Sequence, residues 1–311
     1  MPRKSEFELL SNQMTVEHMI SDPEEIDKMV VYKKDPEKKI AWIISNRPDK
    51  GNALPIAALE RVGERVKEAE ADDDVKVIIF KGEGPCFGTG ADAAELGYYI
   101  GYKSGTTAAE KRRASQRSRV GPDRQIVFGA MEKSVMDCMK VTICQVHSYC
   151  YGGHLEIALA SDIVIASPDA LFTHPAFRYL GPSPQNMFLY IENFGLKKMK
   201  ELMLTMRPFT AEEAEKAGLV NKIVPRDELE QWTMDYAQAI AVMPIDSIVM
   251  GKAMFQLMCE AQGAGVGTIT GWLGHGWSTN LRYETGERNF MKDRRDKGLS
   301  GALRERDEIV A

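Results

Sequence analysis

Residues 141–166 read VTICQVHSYCYGGHLEIALASDIVIA. Val141 to Val146 is a run rich in β-formers, Gly152-Gly153 breaks the chain, and a helical stretch runs from Leu155 to Ala160. A second β run, Asp162 to Ala166, follows at once. Strand, glycine loop, helix and strand at this spacing predict a βαβ unit with parallel pairing, in which ligands gather at the carboxyl ends of the strands. The same grammar holds upstream. Ile40 to Ser45 is a strand run, Pro55 to Ala71 carries Leu59, Val62 and Val66 at helical spacing, and Val75 to Phe80 is a β run ending in the loop Lys81-Gly82-Glu83-Gly84-Pro85.

Beyond Gly181 the pattern turns mostly helical, over 185–194, 197–205, 211–217 and 228–243. Thr210 followed three residues later by Glu213 is a capping box, and Gly218 stops that helix. The expected organisation is an N-terminal extension (1–28), an α/β core (29–225) and a helical C-terminal region (226–311) that caps the core or mediates assembly. Residues 97–126 break the rhythm with four glycines and the basic cluster Lys111, Arg112, Arg113, Arg117, Arg119 and Arg124. This insertion reads either as a solvated helix and loop or as a segment closing over the site and meeting substrate phosphates.

The composition, 44% hydrophobic and 27% charged over 311 residues, is that of a globular chain with a sizeable core. A net charge of −5 argues against nucleic acid or an anionic membrane as partner. No apolar run reaches the length of a signal peptide or a membrane span, so a cytoplasmic protein is expected. The five cysteines are scattered without CxxC spacing, which fits reduced thiols. No histidine and carboxylate set has metal-ligand spacing, and no metal is expected.

Two loops carry the chemistry. Phe87-Gly88-Thr89-Gly90-Ala91-Asp92 and Cys150-Tyr151-Gly152-Gly153-His154-Leu155-Glu156 both follow strands and expose backbone N–H groups through small residues. The second opens a helix, whose free N–H groups and dipole favour a developing negative charge. A pair of converging N–H donors suits thioester enolate or tetrahedral chemistry, where charge appears on one carbonyl oxygen.

These loops, together with Asn46 to Leu54 (NRPDKGNAL), Leu204-Thr205, Ala214 to Pro225 (AEKAGLVNKIVP) and Asp293 to Gly298 (DRRDKG), resemble the crotonase (enoyl-CoA hydratase/isomerase) superfamily over roughly residues 30 to 306. The resemblance implies an α/β spiral of ββα units with a helical C-terminal region, homotrimers often paired as hexamers, and acyl-CoA thioesters as ligands, coenzyme A being part of the substrate rather than a cofactor. It places the N–H groups of Thr89 and Gly153 in an oxyanion hole and Glu156 as acid/base. It assigns coenzyme A contacts to the backbone of Asn52, Ala53 and Leu54 and to the turn Gly90-Ala91-Asp92, with Lys50 or Arg47 meeting phosphates.

The sequence departs from that pattern at one position. Ala176 stands where the family's hydratases carry a second glutamate. Histidines titrate near neutral pH, and His147, His154 and His174 all fall in the catalytic stretch. A histidine beside the second glycine turn resembles the family's C–C bond-cleaving β-diketone hydrolases. Three functions therefore stay open. One is an acyl-CoA lyase or isomerase using Glu156. Another is a hydrolase of a β-diketone or cyclic β-keto acyl-CoA, with His154 or His174 assisting water. The third is a non-catalytic acyl-CoA binder. Trp272 and Trp277, flanking His275, either line an acyl pocket or pack at an interface.

Overall fold

The computed structural model describes residues 20–95, 131–175, 186–278 and 283–308. Among the described residues the strands are β1 (Val30–Asp35), β2 (Ile40–Ser45), β3 (Val77–Gly82), β4 (Val141–Val146), β5 (Tyr149–Tyr151), β6 (Ile163–Ala166), β7 (Leu171–Thr173), β8 (Phe209–Thr210) and β9 (Lys222–Ile223). They form a six-stranded sheet of order β1-β2-β3-β4-β6-β9 and a three-stranded sheet of order β5-β7-β8. In the larger sheet β1 and β2 make an antiparallel hairpin, and every later pairing is parallel.

Side chains alternate across a strand, and both faces of this sheet are buried. Ile78, Phe80, Cys144, Val146 and Val164 face the main core. Val77, Ile79, Ile143 and Ile165 face a smaller cluster closed by Leu229 and Ala237. That is why the strand runs read as continuously apolar rather than alternating. Each such side chain contributes roughly 1.5–3 kcal/mol on full burial.

The helices are α1 (Pro23–Met29), α2 (Ile56–Glu70), α3 (Met131–Asp137), α4 (Gly153–Ala160), α5 (Met187–Thr205), α6 (Ala211–Ala217), α7 (Leu229–Ala241), α8 (Ile245–Gln262), α9 (Ala264–Ser278) and α10 (Phe290–Glu308). The capping box at Thr210 and Glu213 is present, with Gly218 left-handed behind it. The two helices expected over 185–205 are one element broken at Gly195, whose φ of 67° and ψ of 156° lie in a region only glycine enters readily. α1 is capped by Asp22 and tied to α2 through Asp27, which pairs with Arg61 and Arg65, so the chain joins the core before residue 29. Residues 1–19 and the insertion at 97–126 lie outside the described residues. Among the described helices, no single one is long and apolar enough to cross a membrane, and α7 and α8 meet at a 103° bend.

Candidate active site

Parallel pairing brings the two glycine loops together at the carboxyl ends of β3 and β4. Gly88 N–H donates to the Tyr149 carbonyl at 2.8 Å, and Tyr151 N–H donates back to the Gly88 carbonyl at 2.9 Å. A Cβ on Gly88 would sit 2.2 Å from the His154 ring, and one on Gly90 (φ 89°) would sit 2.9 Å from the Gly153 nitrogen. Main chain therefore meets main chain with no side chain between, which is the physical need for the small residues.

The Thr89 expectation is corrected by this geometry. Thr89 N–H donates to the Gly51 carbonyl at 3.1 Å, and its hydroxyl donates to the same oxygen at 3.1 Å. Both donors are thus committed within the fold. Two residues on, Leu54 N–H donates to the Gly90 carbonyl and Asp92 N–H donates to the Leu54 carbonyl, at 2.9 and 2.8 Å. Since a trans peptide sets C=O and N–H in opposite directions, the Ala91 N–H points away from Leu54. It has no acceptor among the described residues. The same holds for Gly153 N–H, the first of α4, which helix geometry leaves without an intrahelical partner. The donor pair at this junction is Ala91 and Gly153.

His154 is also reassigned. Its ring is wholly buried. Nδ1 accepts from Gly90 N–H at 3.0 Å, so in the neutral ring the proton resides on Nε2, which lies 2.9 Å from the Ser45 hydroxyl. Burial pulls its pKa down to about 3. His154 is a neutral strut that ties the Gly90 loop to β2, with Phe87 packed edge-on at 5.4 Å, and it has no free nitrogen to activate water. His147, whose Nε2 bonds the Gly84 carbonyl at 3.1 Å, likewise braces a loop.

Glu156 sits in the first turn of α4, buried, with His174 Nε2 at 3.5 Å from its carboxylate. The fold brings these two expected residues together. It adds one that sequence reasoning missed. Glu132, in the first turn of α3, is fully buried, and neither carboxyl oxygen has a hydrogen-bond partner. Burial, and next the charge of Glu156, push its pKa up to about 8. The Asn186 amide lies near enough to temper that rise, but its nitrogen is bound to the Ala264 carbonyl at 3.3 Å and Thr268 Oγ1 at 3.1 Å. The buried Tyr190 hydroxyl is held well above its ordinary pKa by burial and then by the charges of Glu156 and Glu132. A signal for Glu132 existed in its spacing to Val135 and Met136, which sets a carboxylate on the apolar face of a helix.

The residues expected to meet coenzyme A divide into two groups. Asn52 is fully buried, its amide donating to the Glu83 and Cys86 carbonyls at 2.9 and 2.8 Å, so it staples the loops. Asp92 pairs with Arg47 at 2.6 Å and caps the Ala94 N–H at 2.9 Å, which commits both charged groups. Ala53 accepts from Arg47, and Leu54 and Gly90 bond each other as described. Lys50 alone among these cations stands exposed, with no ion pair among the described residues. Ala176 and the side chains of Trp272, His275 and Trp277 lie outside the described residues. Among the described residues no group of three histidine, cysteine, aspartate or glutamate side chains is set to hold a metal ion.

Solved structures share this architecture, the crotonase fold. An enoyl-CoA hydratase from Mycobacterium smegmatis superposes with a TM-score of 0.76 at 26% identity, covering 91% of this chain and 94% of that one. An enoyl-CoA hydratase/isomerase from Xanthobacter autotrophicus Py2 gives 0.73 at 25% identity, covering 90% and 98%. The chain belongs to the enoyl-CoA hydratase/isomerase family, whose sequence pattern matches residues 35–269. EchA13 of Mycobacterium tuberculosis, named as an enoyl-CoA hydratase, is 30% identical over 75% of this chain and 74% of its own length. A peroxisomal Δ(3,5)-Δ(2,4)-dienoyl-CoA isomerase of Arabidopsis thaliana is 27% identical over 68% of this chain and 74% of its own.

Proposed function

We propose that the protein processes acyl-CoA thioesters by the hydratase or isomerase route. In this reading the thioester oxygen lies against the N–H groups of Ala91 and Gly153, and Glu156 moves the proton. The observation that carries it is the pair of backbone donors without acceptors, at the junction of two loops, beside a buried carboxylate. Such preorganised donors stabilise an oxyanion by roughly 3–4 kcal/mol each when judged by their removal. Relatives whose names specify enoyl-CoA hydratase and dienoyl-CoA isomerase support the same substrate class. Lys50 is a cation exposed to meet a coenzyme A phosphate.

Hydrolysis of a C–C bond ranks behind this. It called for His154 or His174 to assist water, and His154 has both nitrogens engaged, leaving only His174 beside Glu156. A non-catalytic binder ranks last, because a cluster of buried ionisable groups is costly to keep where no chemistry uses it.

Assays with crotonyl-CoA, a β,γ-enoyl-CoA and a cyclic β-diketone separate the readings. Turnover of enoyl-CoA, lost in Glu156→Gln with coenzyme A binding intact, is the expected result. Turnover of the diketone alone would refute the proposal. A homo-oligomer completes the reading: α8 and α9 expose Met250, Met254, Phe255, Met258, Val266 and Ile269, an apolar face suited to a second copy of the chain.

A further inference from the structure

Adding a proton to one carbon while removing one from water or another carbon takes a base and an acid. With Ala176 at the family's second glutamate position, Glu156 lacks its usual partner. Glu132 meets the physical requirements for one. α3 packs on α4, and Gly153 faces α3 directly, since a Cβ there would lie 3.7 Å from the Met131 methyl. The Glu132 carboxyl is fully buried, has no partner in hydrogen-bonding geometry among the described residues, has the Asn186 side chain near it, and interacts electrostatically with Glu156 and with Tyr190, which also feels Glu156. Keeping an unpartnered buried carboxyl costs about 1–3 kcal/mol, and among the described residues no cation closes a structural pair with it. The other charges that act on Glu132 are its helix neighbours Lys133 and Asp137, which pair with each other at 2.5 Å. His174 faces the cluster through Glu156 and packs edge-on against Tyr190 at 5.8 Å.

We infer that Glu132 and Glu156 form a carboxyl pair sharing one proton, in which Glu156 is the base and Glu132 the acid that protonates the substrate carbon. This rests on the acyl-CoA reading above. In hydration, Glu156 takes one proton from water as the oxygen bonds the β-carbon and the C=C pair moves into the enolate. Glu132 then gives its proton to the α-carbon, and the enolate collapses to the thioester. The proton on Glu156 returns to Glu132, so one water is consumed and no net proton is taken up or released. In isomerisation of a β,γ-enoyl-CoA, Glu156 takes the proton from the α-carbon, the C=C pair moves between the α- and β-carbons through the dienolate, and Glu132 gives its proton to the γ-carbon. A carboxyl buried without a cation and feeling a second carboxylate does not ionise readily, which keeps Glu132 neutral near pH 7.

The test is a pH profile of kcat for full-length wild type, E132Q, E132D and E156Q with crotonyl-CoA and a β,γ-enoyl-CoA, run with α-proton exchange of the acyl-CoA in D2O. Because Glu132 must be protonated, wild-type kcat falls on an alkaline limb near its pKa of about 8. E132Q is expected to lower kcat ~100-fold or more, as for loss of a general acid, with KM within about threefold, and to lose that limb. E132D is expected to recover part of the rate and keep a limb at shifted pH. If E132Q does not fold by circular dichroism, E132D alone decides: an unmoved limb and full rate would overturn the inference. E132Q with wild-type kcat and an intact alkaline limb would overturn it too. In both cases wild-type turnover leaves the acyl-CoA reading standing. No wild-type turnover and no α-proton exchange would sink both.

Discussion

Glu95 and Glu132 stand on either side of the 96–130 stretch, and both are buried glutamates. Their surroundings differ in one respect. Glu95 accepts from Ile20 N–H and from Ile56 N–H, each at 3.1 Å, capping α2 where Pro55 offers no side-chain cap and anchoring the start of the described chain. Glu132 has no partner in hydrogen-bonding geometry among the described residues and feels the charge of Glu156. Burial raises the pKa of both. Burial alone therefore does not mark a functional carboxyl; an account of its hydrogen bonds does. The same division separates His154, with both nitrogens engaged, from Glu132.

The sharpest way to break this comparison is to neutralise one member of each kind. Glu156→Gln should lower kcat about 1,000-fold with little change in melting temperature, within the range for a lost acid/base group; a drop below tenfold would place the chemistry elsewhere. His154→Ala should act the other way round on stability. It leaves Gly90 N–H and the Ser45 hydroxyl unpaired around a cavity and should cost about 2–4 kcal/mol in urea unfolding.

The pH dependence of stability distinguishes the two kinds by sign. Glu132 holds its proton in the folded state up to about pH 8, whereas the unfolded glutamate loses it near its ordinary pKa. The folded state therefore binds the extra proton between these values, and stability falls as pH rises across that window. Glu132→Gln should remove the slope and raise stability at pH 8–9 by about 1–3 kcal/mol, the scale of an unsatisfied buried polar group. His154 behaves oppositely. Its folded pKa of about 3 lies below the unfolded value, so its contribution is complete above pH ~6.5 and is lost as pH falls toward 3. Thermal melts of wild type and Glu132→Gln from pH 4 to 9 check both signs.

Smaller effects follow. Glu95→Gln should cost about 1–2 kcal/mol through the weakened cap, leaving kcat within about threefold, and a large loss of kcat would erase the contrast with Glu132. Lys50→Ala should raise KM for acyl-CoA about threefold at low ionic strength, the effect fading with salt as expected for an exposed charge.

Much of this arrangement was legible before any coordinates. The βαβ unit at 141–166, the loops at 87–92 and 152–153, the capping box at Thr210 and the place of Glu156 all depend on local spacing and residue size, which a sequence records directly. The errors were of another kind. Thr89 and Ala91 are neighbours but one in the same exposed turn, and only the bonds from Gly51 and Leu54, brought in from another loop, decide which N–H is left over. His154 reads as a titratable group beside a glycine turn, yet its role follows from Ser45, 109 residues away in sequence.

The sequence by itself determined the strand and helix alternation, the two backbone-exposing loops and the family, because hydrophobic period, glycine placement and helix caps act over a few residues. Only the tertiary structure decided which donors are free, that His154 is neutral, and that Glu132, from a helix ahead of β4, is buried where it feels the charge of Glu156. Those outcomes depend on which groups are removed from water together and which find partners there, and that is a property of the packed chain.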